Sequence, residues 1–349
     1  MDRRTLLTLP TLASLTAAVA LAGCGGSSSP NQTSGNSTPG NQTPGQKTAG
    51  SATDSQAPRQ SSAPATSSTP TPTPSFDTPG GMKPVSGGGR LVGWCGHPGA
   101  PGQGRLGVGN DLDQRVVEMI AQTKAYAPSS GAPAPDTAGK PVVPVMELIV
   151  TTVHARPGKD GTYRTRIDGA LIDEWLATAR KHGSLLLLNI QPGRARFIDE
   201  VLAYEKWLLE PDVGVALDPE WAVSAGQVPG RVFGHTTGGE LNLVGEYLSA
   251  LVADHGLPEK VLVFHQLNPD VVRDESSMKD FPGVAWIKSV DGIGSPGAKV
   301  ATWRRVIRTT PPFVHLGFKL FYEEDVDTGG RLMTPKEVLA LDPVYVMYE

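Results

Sequence analysis

The sequence has few cysteines and few aromatic residues: Cys24 and Cys95 are the two cysteines in 349 residues, and Phe, Trp and Tyr make up 6%. Cys24 belongs to the N-terminal segment. Cys95 therefore has no partner for an internal disulfide, and the fold must rest on its apolar core. Charge of one sign is also scarce. Lys and Arg number 31 against 35 Asp and Glu, a net charge of −4, and the two signs are interspersed. That balance excludes the basic surface of a nucleic-acid-binding protein. No second stretch with the length and apolarity of a membrane span follows the N-terminal one. No Gly-x-Gly-x-x-Gly enters a helix directly and no Gly-x-Ser-x-Gly is present, so neither a dinucleotide fold nor a serine nucleophile elbow is indicated. No cofactor is expected.

What is present begins with a charged head, Met1-Asp2-Arg3-Arg4, an apolar run from Thr5 to Leu21, and Leu21-Ala22-Gly23-Cys24. Head, apolar core and small residues make a secretory signal, and the run is short for a span of roughly 20 residues. Leu-Ala-Gly-Cys resembles the lipobox of bacterial lipoproteins. The resemblance implies that residues 1–23 are removed, that Cys24 is lipidated, and that the protein is anchored to the cell membrane facing outside the cytoplasm. An ordinary signal peptide is the alternative. Residues 24–89 are Ser, Thr, Pro, Gly, Asn and Gln with almost no large apolar residue, which predicts a disordered tether. Random-coil scaling puts its ends roughly 40–50 Å apart. The Asn-x-Thr/Ser triplets at Asn31, Asn36 and Asn41 read as accidents of this composition.

Residues 90–349 alternate strand-like with helix-like runs. Strands are expected over 90–96, 142–148, 184–191, 213–221, 260–266, 284–291, 313–322 and 344–349. Helices are expected over 111–126, 167–182, 195–209, 240–255, 297–309 and 335–341, with a shorter helical piece after the fifth strand. Alternation means parallel pairing with right-handed crossovers, and apolar runs such as 185–188 and 261–264 suit strands covered on both faces. Eight such units predict an α/β fold, a closed (β/α)8 TIM barrel, with an open doubly wound sheet as the alternative.

The run 213–221 reads Val-Gly-Val-Ala-Leu-Asp-Pro-Glu-Trp and ends in two carboxylates backed by Trp221. Residues two apart on a strand point the same way, so Asp218 and Glu220 are expected to leave the strand end together. Paired carboxylates suit acid/base chemistry, and a neighbouring aromatic suits a sugar ring. A barrel carries its working residues at the C-terminal strand ends. Those ends supply His97, Glu147, Asn189, Gln191, His265, Gln266, Asp291, Lys319, Tyr322, Glu323 and Glu349. Glu220 is the candidate acid and Asp218 its partner. Asp291 or Glu323 is the candidate base or nucleophile. His97, Glu147, Gln191, Trp221, His265, Lys319 and Tyr322 are candidates to bind substrate. Two other arrangements are open: a metal site from His97, Glu147 and His265, and a mouth plugged by ion pairs of Lys319 with a carboxylate such as Glu147. Gly96-His97-Pro98 lacks the His-x-His of barrel metallohydrolases and the His-Arg-Gly of glycerophosphodiesterases.

Leu217-Asp218-Pro219-Glu220 resembles the Asp-x-Glu at the fourth strand of lysozyme-type and chitinase-type glycoside hydrolases, which are (β/α) barrels. The resemblance implies that Glu220 is the general acid and that Asp218 orients substrate or supports the acid. The full chitinase pattern would require Asp at Val213 and Ala216, so the N-acetyl-assisted mechanism is not implied. The domain, through Asp218-Pro219-Glu220-Trp221, His265-Gln266, Phe318-Lys319-Leu320-Phe321-Tyr322 and the Val-Tyr-Val-Met-Tyr-Glu ending, also resembles a family of bacterial secreted barrel lipoproteins. The function expected from these features is envelope-anchored glycoside hydrolysis acting on a cell-envelope polysaccharide or peptidoglycan. The alternatives are a glycan-binding or wall-binding barrel without turnover and a metal-dependent hydrolase. The implied partners are that glycan and, through the lipid, the membrane.

Overall fold

Runs covered by apolar neighbours on both faces lose no solvent-facing side and form the barrel staves. The computed structural model describes residues 84–127, 140–327 and 330–349; the expectations on the signal segment, Cys24 and the tether up to residue 83 lie outside them. The staves are β1 (Arg90–Gly96), β2 (Val142–Val153), β3 (Leu185–Ile190), β4 (Val213–Leu217), β5 (Lys260–Gln266), β6 (Val284–Val290), β7 (His315–Leu320) and β8 (Tyr345–Tyr348). Each pairs in parallel with the next, and β1 pairs with both β2 and β8, so the eight close into the expected (β/α)8 barrel.

Helices α1 (Leu112–Thr123), α2 (Gly169–Lys181), α3 (Phe197–Leu202), α4 (Glu205–Leu208), α5 (Gly238–His255), α6 (Pro296–Val306), α7 (Glu324–Asp327) and α8 (Pro335–Leu339) lie in the connections. The single helix expected over 195–209 is broken between α3 and α4. Tyr204 turns inward there, its hydroxyl donating to the Val150 carbonyl at 2.8 Å and meeting Thr151 Oγ1 at 2.7 Å. The connection from β5 to β6 holds the two-residue strand Val272–Arg273 and the 3-10 turn Glu275–Ser277 in place of an α-helix. Beneath it Lys288, fully buried on the outer face of β6, pairs with Glu275 at 2.5 Å, and Gln266 donates to the same carboxylate at 2.9 Å.

Two apolar layers result. Trp94, Met146, Leu188, Val215, Phe264, Trp286, Phe318 and their neighbours fill the space between staves and helices. Leu91, Val143, Val145, Leu187, Val263, Ile287, Tyr345 and Met347 fill the barrel itself. Val85 joins this inner cluster at 4% exposure. The packed domain thus begins by Pro84, a few residues before the boundary expected at 90. The strand β2 overruns its neighbours and pairs antiparallel with Arg164–Arg166, raising a hairpin beside the C-terminal end.

Candidate functional site

Alternation of side chains along the staves puts one polar layer above the apolar interior. Glu147 comes from β2, Asn189 from β3, His265 from β5, Ser289 from β6 and Lys319 from β7; Asp218, Asp291 and Glu349 lie just past β4, β6 and β8. All but Glu349 are less than a tenth exposed. Burial of this many charges requires that they hold one another. His265 Nδ1 meets Asp291 Oδ2 at 2.7 Å, and Ser289 Oγ donates to Asp291 Oδ1 at 2.8 Å. His265 Nε2 lies 3.3 Å from Glu147 Oε1 and 3.9 Å from Asp218 Oδ1. Asn189 Nδ2 donates to Glu147 Oε1 and to Asp218 Oδ1, each at 2.9 Å. Gln191 reaches Asp218 Oδ2 at 3.4 Å. Lys319 Nζ is 2.6 Å from Glu349 Oε2 and 3.7 Å from Asp291 Oδ2. Tyr345 donates to the second oxygen of Glu147. Gly317 on β7 makes room for it: a Cβ there would stand 2.8 Å from the Tyr345 ring.

The carboxyls of this layer divide into two kinds. Burial alone would raise Asp291, but the His265 and Lys319 charges and the Ser289 hydroxyl hold it below the ordinary value. Glu147 follows the same pattern, with His265, Lys319 and Tyr345 overcoming burial. Burial opposes the His265 charge, yet Asp291 and Glu147 keep that ring protonated well above its usual range. Glu220 is the opposite case. Burial first, then the charges of Asp218 and Asp291, push its carboxyl well above the usual range, and its Oε2 is shielded from solvent without a hydrogen-bond partner. Asp218 is raised as well, chiefly by burial and then by Glu147.

The site residues expected from sequence separate accordingly. Glu147, Gln191, Asp218, His265, Asp291 and Lys319 meet in one layer, and Glu220 couples to it. Glu220 reaches it by another route than expected. The strand β4 stops at Leu217, and Glu220 sits on the 3-10 turn Pro219–Trp221, so strand alternation does not place it. Trp221 is half-buried on that turn. Glu323 does not join: β7 ends at Leu320 and Glu323 is exposed. Tyr322 turns outward instead, stacking on Tyr348 at 5.4 Å beneath the Arg105 guanidinium and donating to Gln122 at 2.5 Å. His97 remains in the turn after β1, where Nδ1 donates to the Pro98 carbonyl at 2.9 Å and burial lowers its pKa. The metal set of His97, Glu147 and His265 is therefore not assembled, and among the described residues no three His, Cys, Asp or Glu gather to hold an ion. The ion pair of Lys319 is made with Glu349 and Asp291, not with Glu147.

Sequence reasoning gave no role to Ser289 or Tyr345. Their signal was parity: Ser289 precedes Asp291 by two residues, and Tyr345 shares the inner face with Met347 and Glu349. No family model matches the chain, and no curated protein matches it.

Proposed function

We propose that this barrel is a glycoside hydrolase in which Glu220 is the general acid and Asp291 the anionic partner. The observation that carries the reading is the split between these two carboxyls. Burial and like charge keep Glu220 protonated, while His265, Lys319 and Ser289 keep Asp291 ionised. An acid and an anion set apart by environment are what cleavage of a glycosidic bond needs. Glu220 would give its proton to the leaving oxygen, and Asp291 would attack the sugar carbon or activate the water that does. Asp218 raises Glu220 and restores its proton preference after each cycle. The resemblance of Leu217-Asp218-Pro219-Glu220 to the Asp-x-Glu of barrel glycosidases supports the same assignment.

The lipobox at Cys24 and the tether-like composition that follows support a location on the outer face of the cell membrane, with an envelope polysaccharide or peptidoglycan as the substrate pool. One observation favours a second reading, a glycan-binding barrel without turnover: Lys319 bridges Glu349 and Asp291 across the mouth.

The test is Glu220→Gln in the full chain, assayed on whichever envelope glycan the wild type cleaves. The amide keeps shape and hydrogen bonding but carries no transferable proton, so kcat falls by roughly 10²–10⁴ with KM nearly unchanged. Unchanged turnover, or no cleavage of any envelope glycan by the wild type, removes the hydrolase reading.

A further inference from the structure

The charges at the mouth do not balance. Glu147, Asp218, Asp291 and Glu349 face two cations, His265 and Lys319. The cations are committed to one side: Lys319 lies on Glu349 and Asp291, and His265 has its short contact with Asp291. Asp218 receives only neutral donors at bonding distance, Asn189 at 2.9 Å and Gln191 at 3.4 Å. Its nearest cation, His265 Nε2, stands 3.9 Å away, beyond hydrogen-bond reach, so the pair is unfinished.

A second, independent feature lies in the same place. Asn189 is 1% exposed, and its orientation is fixed, because Nδ2 must face the carboxylates of Glu147 and Asp218. Its Oδ1 is buried without a donor, and so is Glu220 Oε2. His265 Nε2, 3.9 Å from Asp218, is buried without a partner as well, so the cation already present donates to neither orphaned acceptor and both are left to a donor from outside. Buried polar atoms without partners are rare enough to require such an account.

We infer that the mouth recognises a ligand bearing a protonated primary amine, and hence that its glycan carries a free amino sugar rather than an N-acetylated one. An ammonium offers three donors and one positive charge, enough for Asp218 and the two orphaned acceptors. An acetamido group offers one donor, no charge, and added bulk. The ammonium pairs with the ionised form of Asp218, so the affinity of an amino sugar weakens as pH falls and that carboxyl takes up a proton. Glu147 and Asp291, held below the ordinary carboxylate range by His265, Lys319, Tyr345 and Ser289, contribute less to this dependence. Glu220, kept neutral, contributes an acceptor and no charge.

The inference rests on the glycosidase reading for the word sugar, and its test separates the two. Calorimetry on the full chain compares oligomers of β-1,4-linked glucosamine with the N-acetylated oligomers of the same length at pH 6 and at pH 4. The amine form is expected to bind at least about tenfold more tightly at pH 6 and to lose most of that advantage at pH 4. Asp218→Asn is expected to bring the two within about twofold. Should that variant fold poorly, the wild-type comparison decides by itself. Equal affinity, preference for the acetylated form, or binding of neither overturns the inference. Amine binding without cleavage sustains it while removing the hydrolase reading; Glu220-dependent cleavage of neutral glycans with no amine preference does the reverse.

Discussion

Two sets of buried charges, one outside the barrel and one at its mouth, differ in whether their partners are complete. Outside the barrel, Lys288 meets Glu275 at 2.5 Å, and Lys299 meets Asp325 at 2.9 Å. Asp325 also accepts from the backbone amides of Gly294 and Phe321, each at 3.0 Å, and Lys299 donates to the Gly292 carbonyl. Every charge there has one counter-charge and further hydrogen bonds. Inside, at the mouth, Asp218 and Glu220 are pushed toward protonation and buried acceptors stand empty. Polarity at a strand end is therefore a weak mark of function. Unfinished charge pairing is the stronger one, because a buried carboxylate short of its counter-charge is costly to keep.

The largest effect should come from breaking the outer set. Lys299→Met leaves Asp325 charged, buried and short of its cation, and removing one partner of such a pair costs about 3–5 kcal/mol. Urea unfolding at neutral pH measures it. A loss under about 1 kcal/mol would mean that the two backbone amides already suffice for Asp325, and that the outer set is not the structural one.

A sharper version removes both members of the other pair. Lys288→Met alone should cost a similar amount, whereas Lys288→Met with Glu275→Leu should recover to within about 1 kcal/mol of the wild type, since apolar replacement of a whole buried pair is often neutral. If the double variant stays as weak as the single one, the pair does more than balance charge. It would then be what holds the β5–β6 connection in place where no helix packs.

Much of this is legible in the sequence. The boundaries of β1 and β5 fall where the apolar runs stop, because parallel staves are buried on both faces and leave no polar alternation to confuse. Glu147, Asp218, His265, Asp291 and Lys319 were legible for the same reason: each interrupts or ends an apolar run. What failed depended on long-range packing. Nothing local at Glu323 says that β7 ends three residues earlier, or that Tyr322 joins the Trp94, Tyr348 and Arg105 cluster on the outer face. Nothing local at Tyr204 says that its hydroxyl reaches β2. Glu220 was placed at the mouth by an alternation that stops at Leu217, and the 3-10 turn brought it there instead.

The smallest effect has the opposite sign and tests the comparison most directly. Asp218→Asn removes a charge as Lys299→Met does, yet the sequence of causes predicts no loss. Burial raises the Asp218 carboxyl and, with Glu147 adding to it, outweighs the His265 and Lys319 charges and the Asn189 hydrogen bond that lower it. A group whose folded pKa lies above its unfolded value of about 3.9 opposes folding once ionised. Its penalty is absent below the unfolded value and grows as pH rises through the folded one. The amide abolishes that penalty. Its Oδ1 still accepts from Asn189, and what it gives up is the 3.4 Å contact from Gln191 and the attraction to His265 Nε2 at 3.9 Å. At pH 8 the variant should therefore equal the wild type or exceed it by up to about 1 kcal/mol, the usual sign when a functional group is removed from a strained site. At pH 4, close to the unfolded value, the gain should vanish. Denaturant unfolding of both proteins at pH 4, 6 and 8 reads the difference. A loss near 3 kcal/mol at pH 8 would class Asp218 with Asp325 as a structural charge, and the contrast between the two sets would collapse.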